Sequence, residues 1–143
     1  ISEIKKIQEI EVCDYNNLKA GRDFTLSSGK TIQNSLLTLD PEKTMSYAYC
    51  SDTSYKPDIV EIIKKSDILY HESTFLSDKE DLAIKTRHST AKQAAVIAKK
   101  AEVKKLILGH YSSRYKDISL FKKEAEEIFT NVILAETGKI ISI

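Results

Sequence analysis

The sequence predicts an α/β fold, and three observations carry the prediction. Short apolar runs at residues 45–50, 68–70 and 106–109 alternate with segments of helical periodicity. Runs of that length, bounded by turn residues, read as strands of a covered sheet. Each run also ends abruptly in reactive side chains: Ser51-Asp52-Thr53, then His71-Glu72-Ser73-Thr74, then His110-Tyr111-Ser112-Ser113-Arg114. Ligands of such sheets gather at the carboxyl ends of the strands, so the three clusters are expected along one edge.

Before the first of these runs the pattern is weak. Ile4, Ile7, Ile10 and Val12 stand among charges and suit helix or strand equally. Leu18-Lys19-Ala20-Gly21 reads as a short helical turn closed by glycine. Phe24-Thr25-Leu26 and Thr31-Ile32 flank a hairpin whose tip carries Gly29. Leu36, Leu37 and Leu39 lead to a turn at Asp40-Pro41.

After the first strand, Pro57 suits a helix first turn, with Ile59, Ile62 and Ile63 as its buried stripe. Ser77-Asp78 opens a short acidic helix after the second strand, and residues 85–89 form a polar loop. Thr90 caps a helix whose inward stripe is Ala91, Ala94, Ala95, Ala98 and Ala101, with Ile97 beside it. So many alanines imply close approach to the sheet. Leu120, Phe121, Ala125, Ile128 and Phe129 mark a further amphipathic helix. Residues 132–135 and 140–143 read as strands flanking a turn at Thr137-Gly138. No internal repeat, low-complexity tract or linker interrupts the pattern.

At 143 residues the chain fits one domain or a well-formed part of a larger one, and it starts at Ile rather than Met. A hydrophobic share of 41% and a charged share of 30% are those of a soluble globular protein. No apolar run approaches membrane-spanning length, and residues 1–6 lack a signal peptide's apolar core. A cytoplasmic protein without membrane contact is the expectation. The formal net charge of +1 neither requires nor excludes a nucleic-acid partner. The lysine pairs at 5–6, 99–100, 104–105 and 122–123 read first as solvated helix faces. Cys13 and Cys50 form no CxxC pair, which favours reduced, intracellular thiols.

Asp52 follows a strand between Ser51 and Thr53, whose hydroxyls could hold its carboxylate in place. Its two oxygens can bridge divalent cations, although a lone aspartate there is more often a cap or turn residue. His110 follows Gly109 at the end of a very apolar strand. It is either a metal ligand or a histidine bonded to a carbonyl. His88 lies in the polar loop, where a nearby carboxylate would let it donate a proton to a leaving oxygen. Glu72 is its candidate partner; the alternative is a surface histidine and an ordinary strand-end acid. His71 precedes Glu72 and so points to the opposite face, in a structural role. Ser112, Ser113 and Arg114 offer hydroxyls, N–H groups and a guanidinium suited to phosphate. Taken together, the set suggests metal-assisted phosphodiester hydrolysis.

Four strings are similar to the later motifs of ribonuclease Z, the tRNA 3′-processing endoribonuclease of the metallo-β-lactamase superfamily. They are Tyr49-Cys50-Ser51-Asp52-Thr53, His71-Glu72-Ser73-Thr74-Phe75, His88-Ser89-Thr90 and Leu108-Gly109-His110-Tyr111-Ser112-Ser113-Arg114-Tyr115. The turn at residues 18–21 and the hairpin after it resemble the stretch that precedes those motifs. The resemblance implies half of the family's αββα sandwich, a mixed sheet with helices on one face. Asp52 would bridge two zinc ions and His110 would bind one of them. His88, held by Glu72, would donate the proton to the departing 3′ oxygen of precursor tRNA. Ser112, Ser113 and Arg114 would lie near the scissile phosphate.

One departure from the family is large. Its HxHxDH motif, which supplies most zinc ligands and a general-base aspartate, has no counterpart, since the histidines here are 71, 88 and 110 alone. A further metal-binding histidine before Asp52 and the family's tRNA-clamping arm are missing too. Residues 1–143 therefore resemble the C-terminal half of such a domain. Catalytic zinc sites normally need three protein ligands per ion, so weak or no zinc binding and no cleavage are expected of the chain alone. The sheet face meant for the other half would be exposed and would favour a homodimer. Two alternatives stand beside this reading: a non-catalytic module that binds tRNA or a partner, and a different hydrolase of the same superfamily.

Overall fold

The computed structural model describes residues 9–41 and 43–141, so Ile4, Ile7 and the Lys5-Lys6 pair lie outside the described residues. The chain divides into two compact units, Ile1–Thr44 and Met45–Ile143.

In the first unit, a 3-10 turn at Val12–Asp14 runs into helix α1, Tyr15–Lys19. Gly21, at φ 79°, takes the left-handed conformation that lets the chain leave the helix. Strands β1 (Phe24–Thr25) and β2 (Thr31–Ile32) pair antiparallel around the expected hairpin. Asn34 ties the hairpin's exit to the helix: its side-chain amide donates to the carbonyls of Leu18 and Arg22 at 2.8 and 3.0 Å. Among the described residues, Leu18 and Leu37 are the buried apolar residues of this unit.

The second unit is built on a four-stranded sheet in the order β3 (Tyr47–Cys50), β4 (Ile68–Glu72), β5 (Lys105–Gly109), β6 (Val132–Leu134). All three pairings are parallel. Among the described residues antiparallel pairing is confined to the separate β1–β2 hairpin, so the four-stranded sheet is parallel throughout rather than mixed as expected. Parallel neighbours need crossover connections, and successive strands that sit side by side place their crossovers on one face.

Between β4 and β5 the crossover carries α2 (Glu80–Thr86) and α3 (Ala91–Lys100); between β5 and β6 it carries α4 (Ser119–Glu126). Thr90 caps α3 as expected. Its hydroxyl accepts the Gln93 N–H at 3.1 Å, and the Gln93 side chain accepts the Thr90 N–H at 3.0 Å. Between β3 and β4 the expected helix shrinks to a 3-10 turn at Pro57–Ile59. Ile63 is buried there but Ile62 is 83% exposed. Lys65 enters the left-handed region and donates its N–H to the Ala101 carbonyl at 2.7 Å, which stops further winding. Ile140 and Ile141 form no strand, and 142–143 lie outside the described residues.

The core lies under one sheet face. Leu69, Leu106 and Leu108 from the strands meet Ile97, Ala98 and Ala101 near α3 and Phe121 and Ala125 of α4. Each fully buried Leu, Ile or Phe contributes about 1.5–3 kcal/mol. The alanine stripe of α3 is entirely buried, as close packing on a sheet requires. The other face carries Tyr47, Tyr49, Tyr70 and Ile107, and among the described residues no helix of this unit lies over it. Tyr49 and Tyr70 stack at 4.7 Å, while Tyr47 and Tyr49 are 55% and 64% exposed.

Candidate metal and acid–base centre

The carboxyl ends of β3, β4 and β5 converge as the sequence predicts. Asp52 stands two residues past β3, and His110 is the first residue past β5. Both adopt left-handed backbone conformations, at φ 47° and 61°. Aspartate and histidine are among the few side chains enriched there, and such conformations gather at functional sites. Glu72 closes β4, opposite Gly109 in register. His88 comes from the loop after α2, which Arg87 ends at φ 62°.

These elements bring four of the predicted residues together. Asp52 Oδ1 lies 3.1 Å from His110 Nε2. His88 Nδ1 lies 2.8 Å from Glu72 Oε1, and the rings of His88 and His110 are 5.3 Å apart. One donor atom each from Asp52, His88 and His110 fall within 4.8 Å of one another.

Glu72 is fully buried and organises the site. Its Oε1 accepts the Thr53 N–H at 3.0 Å; its Oε2 accepts the N–H groups of Thr74 and Ser89 at 3.1 and 3.2 Å. The Thr74 hydroxyl donates to Oε2 at 2.7 Å. Burial pushes the Glu72 carboxyl up, but the bonds from Thr74, His88 and Ser89 outweigh it and hold the group below the usual glutamic acid value.

His71 is buried on the helix side of the sheet, with Nδ1 at 2.7 Å from the Glu72 carbonyl oxygen. Burial pushes its imidazole down, partly offset by that carbonyl and the Glu72 charge. It is not part of the cluster. Ser112 is half-buried, with its N–H on the Thr74 carbonyl at 3.0 Å and its hydroxyl 3.3 Å from an Arg114 guanidinium nitrogen. Ser113 and Arg114 are exposed.

One expectation fails in detail. The Thr53 hydroxyl donates to the Ser54 carbonyl at 3.0 Å rather than holding Asp52; its backbone N–H serves Glu72 instead. Thr74, not among the candidate residues read from the sequence, joins the site: its hydroxyl touches both Glu72 and, at 2.9 Å, His110 Nδ1. Spacing offered a signal: Glu72 and Thr74 are two apart, hence on one face of an extended chain. Two imidazoles and a carboxylate are good donors for a transition metal, and the exposure of Asp52 and His110 leaves coordination positions open. The residues fit a metal.

No protein-family model matches the chain. Ribonuclease Z of Parabacteroides distasonis is 45% identical over 143 residues, which is 100% of this chain and 47% of that protein. Ribonuclease Z of Phocaeicola vulgatus is 47% identical over 133 residues, 92% of this chain and 43% of that protein. The chain is a homologue of ribonuclease Z. It spans about half the length of the curated ribonuclease Z relatives it matches. Among solved structures, human short-form tRNase Z superposes with a TM-score of 0.55 at 27% identity, over 79% of this chain and 36% of that one. The metallo-β-lactamase fold protein YhfI of Bacillus subtilis gives 0.63 at 26% identity, over 67% and 39%. The expected half of a metallo-β-lactamase sandwich is therefore the fold, with helices on one face of a sheet.

Proposed function

We propose that this chain is the C-terminal half of a zinc-dependent endoribonuclease that removes 3′ trailers from precursor tRNA in the cytoplasm. The observation that carries the reading is the meeting of Asp52, His88 and His110 within 4.8 Å, beside the buried Glu72 carboxylate. The similarity to ribonuclease Z supports it, and Cys13 and Cys50, both free thiols, accord with a reducing compartment.

In this reading Asp52 and His110 hold the metal. Bound zinc supplies Lewis-acid stabilisation of the charge that develops on the scissile phosphate. Glu72 orients the His88 ring through Nδ1, and His88 carries a proton to the departing 3′ oxygen. Arg114 offers a guanidinium fork, and Ser112 and Ser113 offer hydroxyls, to phosphates beside the cut. Two ions need about three protein ligands each. The remaining ligands belong to the other half, so the chain alone binds zinc weakly and does not cleave. With Tyr47 and Tyr49 exposed on the helix-free face, it pairs with a second copy in solution.

The test compares this chain with a protein that adds the missing half, measuring zinc by emission spectroscopy and cleavage of a precursor tRNA. Little zinc and no cleavage are expected from the chain; cleavage by the longer protein is expected to vanish with His88→Ala. Robust cleavage by the chain alone, or none by the longer protein, overturns the reading. A dilute, monodisperse monomer in light scattering removes the dimer from it.

A further inference from the structure

We infer that Thr74 is a positioning residue that fixes the tautomer of His110, so that one buried carboxylate sets both imidazoles of the site. Three of the groups on Glu72 are backbone N–H groups, of Thr53, Thr74 and Ser89, which can only donate. With the Thr74 hydroxyl and His88 Nδ1 they surround both oxygens, five contacts on two oxygen atoms, which is the pattern of an ionised carboxylate. A threonine hydroxyl has one proton, and that of Thr74 is directed at Glu72 Oε2 at 2.7 Å. What remains on Thr74 Oγ1 is lone pairs. Its contact with His110 Nδ1 at 2.9 Å therefore requires Nδ1 to carry the hydrogen.

A neutral imidazole has a single N–H. With Nδ1 protonated, the lone pair is on Nε2, the atom that faces Asp52 Oδ1 at 3.1 Å. Two acceptors held this close are arranged for a cation to join them. Glu72 thus orients His88 directly through Oε1 and His110 through Thr74 at Oε2. Thr74 is itself held on every side. Its N–H shares Oε2, its carbonyl accepts the Ser112 N–H at 3.0 Å, and it is 7% exposed. The inference rests on the proposed function only in taking Nε2 as the atom that meets the metal; a second group bonded to a ligand's other ring nitrogen is the usual way that tautomer is set.

The experiment is a long-range nitrogen–proton NMR correlation of the imidazole rings in the 15N-labelled chain without metal, well above the ordinary imidazole value of about 6.5. With three histidines in the sequence, the His110 signals are assigned by their loss in His110→Asn. The expected result is the Nδ1–H form for His110. Thr74→Val, which keeps the shape and deletes the hydroxyl, is expected to shift most of the population to the Nε2–H form, and Thr74→Ser to restore Nδ1–H. An Nε2–H form in the unsubstituted chain, or an unchanged tautomer in Thr74→Val, overturns the inference. Should Thr74→Val lose its fold by circular dichroism, the unsubstituted chain and Thr74→Ser still decide it. Precursor-tRNA cleavage plays no part in this readout, so failure here and failure of the nuclease reading are told apart.

Discussion

Tyr70 lies across the backbone of Gly109 with no room for a methyl group between them. A Cβ built on Gly109 would sit 2.8 Å from two carbons of the Tyr70 ring, closer than side-chain atoms pack. Tyr70 cannot easily retreat, since it stacks on Tyr49 at 4.7 Å. Gly109→Ala is therefore expected to displace the ring or the strand end, and His110 with it. Overpacking of this kind costs about 1–3 kcal/mol. A urea midpoint lowered accordingly, with shifted His110 NMR signals, checks the prediction; an unchanged His110 environment counts against it.

Glu72 is the acceptor for three backbone N–H groups, one hydroxyl and one imidazole. Glu72→Gln replaces an acceptor by a donor in a buried site and leaves N–H groups facing an NH2. Each buried polar group stranded in this way costs about 1–3 kcal/mol. Loss of folding stability in urea is expected; under the proposed function, precursor-tRNA cleavage by the longer protein should also fall about 100-fold or more. A stable variant with full cleavage would show that the carboxylate orients nothing.

Acid should destabilise the fold in two stages, and the signs follow from burial and pairing. Burial holds the His71 imidazole below its ordinary 6.5. The unfolded chain then binds the extra proton first, so this contribution is complete above 6.5 and is lost as the pH falls below it. Asp67 is held well below the usual carboxylate range by the Lys104 ammonium at 2.5 Å and by the Ser46 N–H and hydroxyl. Its contribution is complete above 3.8 and is lost below. Urea midpoints measured against pH should fall less steeply below neutrality in His71→Gln. The loss at lower pH should shrink in Asp67→Asn.

Two substitutions in the helical layer test how the sheet is covered. Phe121 is fully buried between Tyr111 and Tyr115, at ring distances of 4.8 and 4.9 Å. Phe121→Ala should cost about 3–5 kcal/mol through the cavity it leaves. Thr90→Ala removes the cap of α3 and should cost about 1 kcal/mol. Equal effects of the two would contradict a core centred on Phe121.

The meeting of the candidate residues was largely legible because strand ends are legible. Apolar runs that stop at Cys50, Tyr70 and Gly109 bring Asp52, Glu72 and His110 to one edge wherever the strands pair in parallel. Periodicity also located α3, since an alanine stripe behind a Thr-x-x-Gln cap has few other readings. The segment at residues 57–63 misled because three isoleucines at helical spacing say nothing of how many turns the connection allows.

By itself the sequence determined the order of the four parallel strands and of helices α3 and α4, the residues at the sheet's carboxyl edge, and the likeness to ribonuclease Z. Those depend on local periodicity and on strings of side chains, which a linear chain carries in full. Tertiary structure alone decided which hydrogen bond each side chain makes. Thr53 turned its N–H to Glu72, and Thr74 came to stand between Glu72 and His110, residues 36 positions apart in the chain for the second pair. A hydrogen bond is set by angstroms and by angle, and sequence spacing cannot supply either across a sheet.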